Sequence, residues 1–285
     1  MNKEYENLIA GKTFDSERSL YAVKNTEVRD CVFAGPADGE SALKETRNVK
    51  VDGCGFSLRY PLWHTEDYVL VNSSMDELTR AAIWYAKRGY IENCNLHGIK
   101  CLRECDDTEI VKTDIVSPEC GWRCRGVSMT DCTVTSEYFM FEASDLKLSG
   151  VKMKGKYSFQ YVKNMTVDSS DFDTKDAFWH SENVTVRNSR VKGEYLGWYS
   201  KNLTLIDCEI IGTQPLCYCE GLKLVNCTMK ETDLSFEYSE VEADIIGEVM
   251  SVKNPKSGRI VADGYGDIIL EDSVIETNCR IEKRQ

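Results

Sequence analysis

The stretch Asn164-Met165-Thr166-Val167-Asp168-Ser169-Ser170-Asp171-Phe172 returns 19 residues later as Asn183 to Val191, and 19 later again as Asn202 to Ile210. Gly221 to Met229 and, far upstream, Asn48 to Phe56 follow the same template. It reads Asn or Gly, apolar, any, apolar, two of any kind, Cys or Ser, any, apolar. The seventh position falls on Cys31, Cys54, Ser74, Cys94, Thr113, Cys132, Val151, Ser170, Ser189, Cys208, Cys227, Ile246 and Ser273. The steps are 23, 20 and 20, then eight of 19, then 27, and six of the 13 cysteines lie in this one column. Internal repeats of this length signal a stacked architecture.

Each repeat holds two strand-like pieces. The template is one; the other lies about seven residues upstream and is aromatic, as in Ala82 to Ala86, Phe139 to Ala143, Ser158 to Val162, Ala177 to Ser181 and Leu196 to Ser200. Alternation at period two, with Asn, Gly and Asp at the joints, predicts strand–turn–strand units and no helix. A 19-residue unit has no apolar partner of its own, so it must stack on its copies. No six- or five-residue sub-period and no leucine consensus is present. The fold class expected is therefore all-β: a single-stranded right-handed parallel β-helix of about 13 coils of about 19 residues. With about 4.8 Å between strands, the coils predict a rod of roughly 60 Å. Small residues suit a buried bend column, and Asn25, Asn48, Asn164, Asn183 and Asn202 are expected to share a left-handed column with stacked hydrogen bonds.

One domain over residues 1–285 is expected: an N-terminal cap over 1–19, regular coils over 20–246, and a last coil over 247–285. Asn254-Pro255-Lys256-Ser257-Gly258 reads as a loop insertion, and Met75 to Thr79 as a small excursion.

Composition narrows the partners. There are 35 Lys and Arg against 47 Asp and Glu, a net charge of −12, and the mean hydropathy is −0.39. Such a chain repels phosphate backbones, so neither nucleic acid nor a membrane is an expected partner. No run approaches a membrane span, and Met1 to Asn7 carries no secretory signal, so a cytoplasmic location is expected. The cysteines then read as reduced, small apolar residues, and the spacings Cys101/Cys105 and Cys120/Cys124 as products of the repeat rather than a zinc site. No cofactor and no metal is assigned.

The template resembles that of pectin-lyase-like right-handed β-helices, and with Ala10-Gly11-Lys12-Thr13-Phe14-Asp15 it resembles a bacterial family of domains of unknown function. The resemblance implies a superfold that hosts lyases, hydrolases, isomerases and non-catalytic proteins, and so implies no single activity. The Asn-Thr-Asp, Asp-Asp and Gly-His-Gly motifs of polygalacturonase-like members are missing. Asp168, Asp171, Asp173 and Asp176 form the nearest acidic cluster to a calcium-dependent lyase site, and read more simply as solvated surface.

The stronger constellation is columnar. Trp84, Trp122, Phe141, Trp179, Trp198 and Phe236 align in the aromatic strand, with Trp63 one position before. The next column holds Tyr85, Glu104, Arg123, Glu142, Tyr161, His180, Tyr199, Tyr218 and Glu237. Its charges predict that it faces outward; alternation then turns the Trp column inward, unless the strand bends. Two readings follow. Either the ladder lines a groove for an extended oligosaccharide, or the aromatics only pack on their stacked neighbours. In the groove reading Glu142, Tyr161, His180 and Arg123 are the candidate catalytic residues, with Tyr161 or His180 as base and Arg123 holding an acidic sugar. Tyr85, Glu104, Tyr199 and Tyr218 are the candidate substrate contacts. An activity, if present, would be of polysaccharide-lyase or glycoside-hydrolase kind. The alternatives are a non-catalytic scaffold for protein association or homo-oligomers, and a calcium-assisted lyase. His64 and His97 read as structural.

Overall fold

A computed structural model describes residues 5–35 and 40–285. Among them the chain forms an all-β parallel solenoid of about 14 turns with no helix, one more than the repeat count predicts. Two compact units, Met1–Ser144 and Asp145–Gln285, divide it.

In the first unit one strand series runs Asn7–Ala10, Lys24–Arg29, Arg47–Asp52, Glu66–Val71, Lys87–Glu92, Asp106–Val111 and Ser128–Thr130, each pairing in parallel with the next. A second begins Thr13–Phe14, Val32–Ala34 and Gly55–Ser57 and continues to Thr133–Ser136. A short aromatic series pairs Leu62–Trp63, Ile83–Trp84 and Leu102–Arg103. In the second unit, Lys163–Asp168, Glu182–Arg187, Lys201–Ile206, Leu222–Lys230, Glu240–Ile246, Ser257–Ala262 and Arg280–Lys283 stack likewise.

Register places like residues on like. Val28, Val51, Leu70, Ile91 and Ile110 form one fully buried column, and the rings of Phe14, Phe33 and Phe56 stack at 5.0 and 4.8 Å. Each buried aliphatic side chain contributes about 1.5–3 kcal/mol by leaving water, and the repeat multiplies that gain coil by coil.

The corners explain the small polar column. Asp30, Gly53, Asn72, Asn93, Lys112, Asp131, Ser169, Asn188 and Asp207 all adopt left-handed backbone, with φ between 45° and 66°. That turn aims the next N–H into the core, where it needs an acceptor. The following coil supplies one. Cys31 N donates to Cys54 Sγ, Cys54 N to Ser73 Oγ, Cys94 N to Thr113 Oγ1, and Ser170 N to Ser189 Oγ. Cys, Ser and Thr recur because they are small and carry an acceptor. The thiols are buried and free; burial pushes Cys54 and Cys94 up to about 11, so they stay protonated. The Asn column is also left-handed, and Asn48 donates to Asn25, Asn183 to Asn164 and Asn202 to Asn183 across coils.

Three details differ from the repeat count. Ser73, not Ser74, is the buried member of its column, because the extra residues of the Asp76 to Thr79 excursion enter after it. Ile245 rather than Ile246 pairs with Cys227, owing to a bulge between Leu224 and Cys227. The 27-residue step is not a loop insertion: Val241 pairs with Gly258, and Glu248–Lys253 with Gly264–Ile269, so one further, shorter coil occupies the span. Residues 7–14 of the expected cap themselves pair as strands, while residues 1–4 lie outside the described residues.

Lys112 is exposed in a corner column that also holds Gly53 and Gly150. Lys112→Gly relieves a left-handed L-residue and is expected to raise stability by about 0.5–1 kcal/mol, net of glycine's greater chain entropy. Urea unfolding measures it, and a loss of stability would contradict this account of the corner.

Candidate functional site

The outward ladder lies on a second left-handed corner. In the first unit His64, Tyr85, Glu104 and Arg123 donate their backbone N–H to the carbonyls of Trp84, Arg103, Trp122 and Phe141 on the next coil. In the second, Tyr161, His180, Tyr199 and Tyr218 donate to Trp179, Trp198, Cys217 and Glu237. Every one of these residues, with Glu45, Glu142 and Tyr238, has φ between 51° and 61°. Bulky residues rarely sit there, at a cost on the order of 1–3 kcal/mol each.

This corner breaks the alternation. The Trp column does not turn inward: Trp84, Trp122, Trp179 and Trp198 are half-buried, next to an outer column that is also on the surface. A left-handed residue reverses the pleat, so two successive side chains emerge and the third, such as Ser181 or Ser200, is buried. Trp63 pairs with Trp84 and belongs in the Trp column, which makes His64 a member of the outer ladder. Phe236 is fully buried, because the step from Cys219 to Ser239 is 20 residues and Tyr238 takes the outer place.

The expected site residues are heavily engaged with one another. The rings of Tyr161 and His180 stack at 4.9 Å, His180 and Tyr199 at 4.9 Å, and Tyr199 and Tyr218 at 4.8 Å, all within 11° of parallel. Their faces are spent on each other, so only ring edges are offered outward. Tyr218 Oη reaches Glu237 at 3.4 Å, and burial together with that carboxylate pushes the phenol up to about 12. Arg123 Nε donates to Glu142 at 2.7 Å, which raises the guanidinium pKa and occupies the cation meant for an acidic sugar. Glu104 lies 3.7 Å from Arg103, and Tyr85 packs on His64 and Trp84. Arg103 itself sits between Trp84 and Trp122, with its guanidinium 5.5 and 5.1 Å from the two ring centres. Trp179 and Trp198 donate Nε1 to the Tyr195 and Gln214 carbonyls of the next coil. These ring and ion-pair contacts brace each coil against the next.

The acidic cluster is dispersed among different partners. Asp171 pairs with Arg190 at 2.9 Å and Asp173 with Lys192 at 3.3 Å, while Asp168 accepts from Asn188 and Ser169, which lower its pKa. Among the described residues no three His, Cys, Asp or Glu side chains converge in a way that suits a metal ion. His97 Nε2 lies 3.1 Å from Asp114, which also contacts Thr133.

A groove that the sequence reading did not single out lies elsewhere in the first unit. It encloses about 860 Å³ and is lined by Tyr5, Asp67, Tyr68, Val69, Arg88, Gly89, Tyr90, Asp107, Thr108, Glu109, Gly126 and Ser128. It crosses four successive coils at the start of the long strand series. Beneath it Gly89 replaces an inward apolar residue of the template. A Cβ there would stand 2.2 Å from Cζ of Tyr68, whose ring fills the vacated space. The Tyr68 and Thr108 hydroxyls face one another without the geometry of a hydrogen bond, and both are buried with no other partner. On the rim, Tyr90 donates to Glu92 at 2.9 Å. A signal was present in Arg88-Gly89-Tyr90-Ile91, the one place in these coils where the first apolar position of the template is a glycine.

Comparison with known proteins follows this geometry. The family model described as protein of unknown function (DUF3737) matches residues 7–282. No curated protein matches the chain in sequence. Among solved structures, PfbA, a surface adhesin of Streptococcus pneumoniae, is similar with a TM-score of 0.52 at 8% identity, covering 84% of this chain and 86% of that one. A PL6 alginate lyase in complex with a trisaccharide gives 0.51 at 10% identity, covering 81% of each. The A-module of the mannuronan C-5 epimerase AlgE4 of Azotobacter vinelandii gives 0.44 at 9%, covering 85% of this chain and 91% of that one. At such identities the first two likenesses show the fold alone, a pectin-lyase-like right-handed β-helix.

Two outcomes are expected from these contacts. Gly89→Ala forces the added methyl into the Tyr68 ring and lowers stability by about 1–3 kcal/mol; Tyr68→Leu in the same chain recovers part of it, as thermal unfolding will register. Asp176 is buried, and desolvation raises its pKa above the usual 3.8. The ionised form is thus penalised in the folded state at neutral pH, and the penalty vanishes once pH falls below 3.8. Asp176→Asn is therefore expected to raise Tm at pH 7, by a margin that shrinks steadily on acidification; a pH-independent margin contradicts the assignment.

Proposed function

We propose, from the premise that the chain belongs to the family described as protein of unknown function (DUF3737), that it binds an oligosaccharide in the groove of its first unit. The observation that carries the reading is the groove itself. It is a long, shallow depression crossing several coils, with tyrosines at its edge, carboxylates and hydroxyls along it, and backbone bared at Gly89 and Gly126. Aromatic edges and faces beside hydrogen-bond acceptors suit sugar rings, which present apolar C–H faces and a rim of hydroxyls. The fold shared with a lyase that carries a trisaccharide supports the reading, without assigning a substrate or a reaction. The outer ladder then serves to hold the coils in register. Glu142 and Arg123 neutralise each other, and Tyr161 and His180 lend their faces to stacking.

Titration calorimetry with oligosaccharides, paired with thermal unfolding, tests this directly. Tyr90→Ala is expected to weaken binding about tenfold or more, about 1.4 kcal/mol, with little change in Tm. His180→Ala is expected to lower Tm and leave affinity within twofold. The opposite pattern would return the site to the ladder.

A second reading has its own observation. Met250, Ile268, Leu270, Val274 and Ile275 of the second unit are exposed, Val274 to 85%. Exposed apolar clusters of this kind mark association surfaces, so self-association through this region is the alternative, measured by sedimentation across concentrations.

A further inference from the structure

We infer that the groove of the first unit takes an uncharged or amino-sugar oligosaccharide and rejects uronates, an inference that rests on the saccharide reading of the same groove. Free and engaged charge are unevenly distributed over the groove. Three carboxylates, Asp67, Asp107 and Glu109, line the groove against a single guanidinium, Arg88. That guanidinium is spoken for: its Nε and Nη2 donate to the two carboxylate oxygens of Asp67 at 2.9 Å, and Nη2 also reaches Glu66 at 3.0 Å. Bidentate pairs of this kind are the strong ones, and recruiting Arg88 to a ligand carboxylate means breaking them. Cations close by are committed in the same way. Lys50 lies between Glu27 and Asp52, at 3.0 and 2.9 Å, and Arg125 lies 3.4 Å from Asp106.

The side-chain carboxylates of Asp107 and Glu109, in contrast, have no hydrogen bond or ion pair among the described residues. They are acceptors waiting for donors, which sugar hydroxyls and an ammonium supply and a carboxylate does not. A uronate lying over Asp107 and Glu109 meets like charge while the one guanidinium of the lining is already paired, and that juxtaposition costs binding strongly.

The test is calorimetric titration of the full chain with matched tetrasaccharides of glucose, glucosamine and glucuronic acid, and with tetralysine. Glucose and glucosamine tetramers are expected to bind, glucosamine more tightly at low salt, with that margin shrinking as salt screens the groove. The glucuronate tetramer is expected to bind at least about tenfold more weakly than glucose. In Asp107→Asn/Glu109→Gln, checked for an unchanged Tm, the glucosamine margin is expected to disappear and the glucuronate deficit to narrow. Glucuronate binding as tight as glucose overturns the inference and leaves the saccharide reading standing. Tetralysine binding as tight as the glucosamine tetramer also overturns it, since the groove is then a general cation trap. Failure of all three saccharides removes the saccharide reading itself, and the inference with it.

Discussion

A backbone N–H turned into the core at each corner is the constraint on which the molecule depends. Left-handed residues let a coil of 19 residues close, but each aims a donor where water cannot follow. The coil above answers with an oxygen or a sulfur: Ser73 for Cys54, Ser189 for Ser170, Cys124 for Cys105, Ser239 for Cys219. No coil is complete without its neighbour, so cooperativity between coils is built into the hydrogen bonds as well as the apolar columns. Cysteines such as Cys54 and Cys124 serve as compact acceptors, and burial holds Cys54 and Cys94 protonated. This is why a chain with 13 of them has no need of disulfides to hold its coils.

The architecture was readable because stacking converts sequence period directly into spatial adjacency. The template marks one strand, the Asn column marks one corner, and both lie where the period puts them. Legibility fell where a single residue changed the count. The bulge near Leu224 moved Ile245 into the place assigned to Ile246, and the excursion at Asp76 moved Ser73 into that of Ser74. A one-residue slip in a strand reverses which side chain faces the core, so these small miscounts change the face. The last turns also escaped the period, because a step of 17 residues pairs Glu240–Ile246 with Ser257–Ala262, and a step of 21 pairs that strand with Arg280–Lys283.

Orientation in the aromatic strand was harder still. Strict alternation sends the tryptophans inward, and the left-handed corner at His180 and its equivalents defeats it. Tryptophans and the outer ladder share the surface in a double row, braced by ring stacking and by Arg103 between two indoles. The groove was overlooked for the complementary reason. A pattern search values what is present, whereas the wall of this depression includes bare backbone at Gly89 and Gly126.

A stack satisfied layer by layer has no closure condition. A barrel admits only certain strand numbers, but nothing in the ladder from Asn164 through Asn183 to Asn202 counts the layers. Copying one whole coil in frame adds a layer whose inward donors are met from above and whose acceptors meet those below. Irregular additions settle instead between strands, as at Asp76 to Thr79. The length of such a protein is therefore an easily inherited variable, altered by duplication or loss of single repeats. The groove is the exception, since its walls come from consecutive coils whose identities matter. Lineages of this fold are free to grow or shrink wherever every layer is alike, and are held to a fixed order where Tyr68, Gly89 and Thr108 succeed one another.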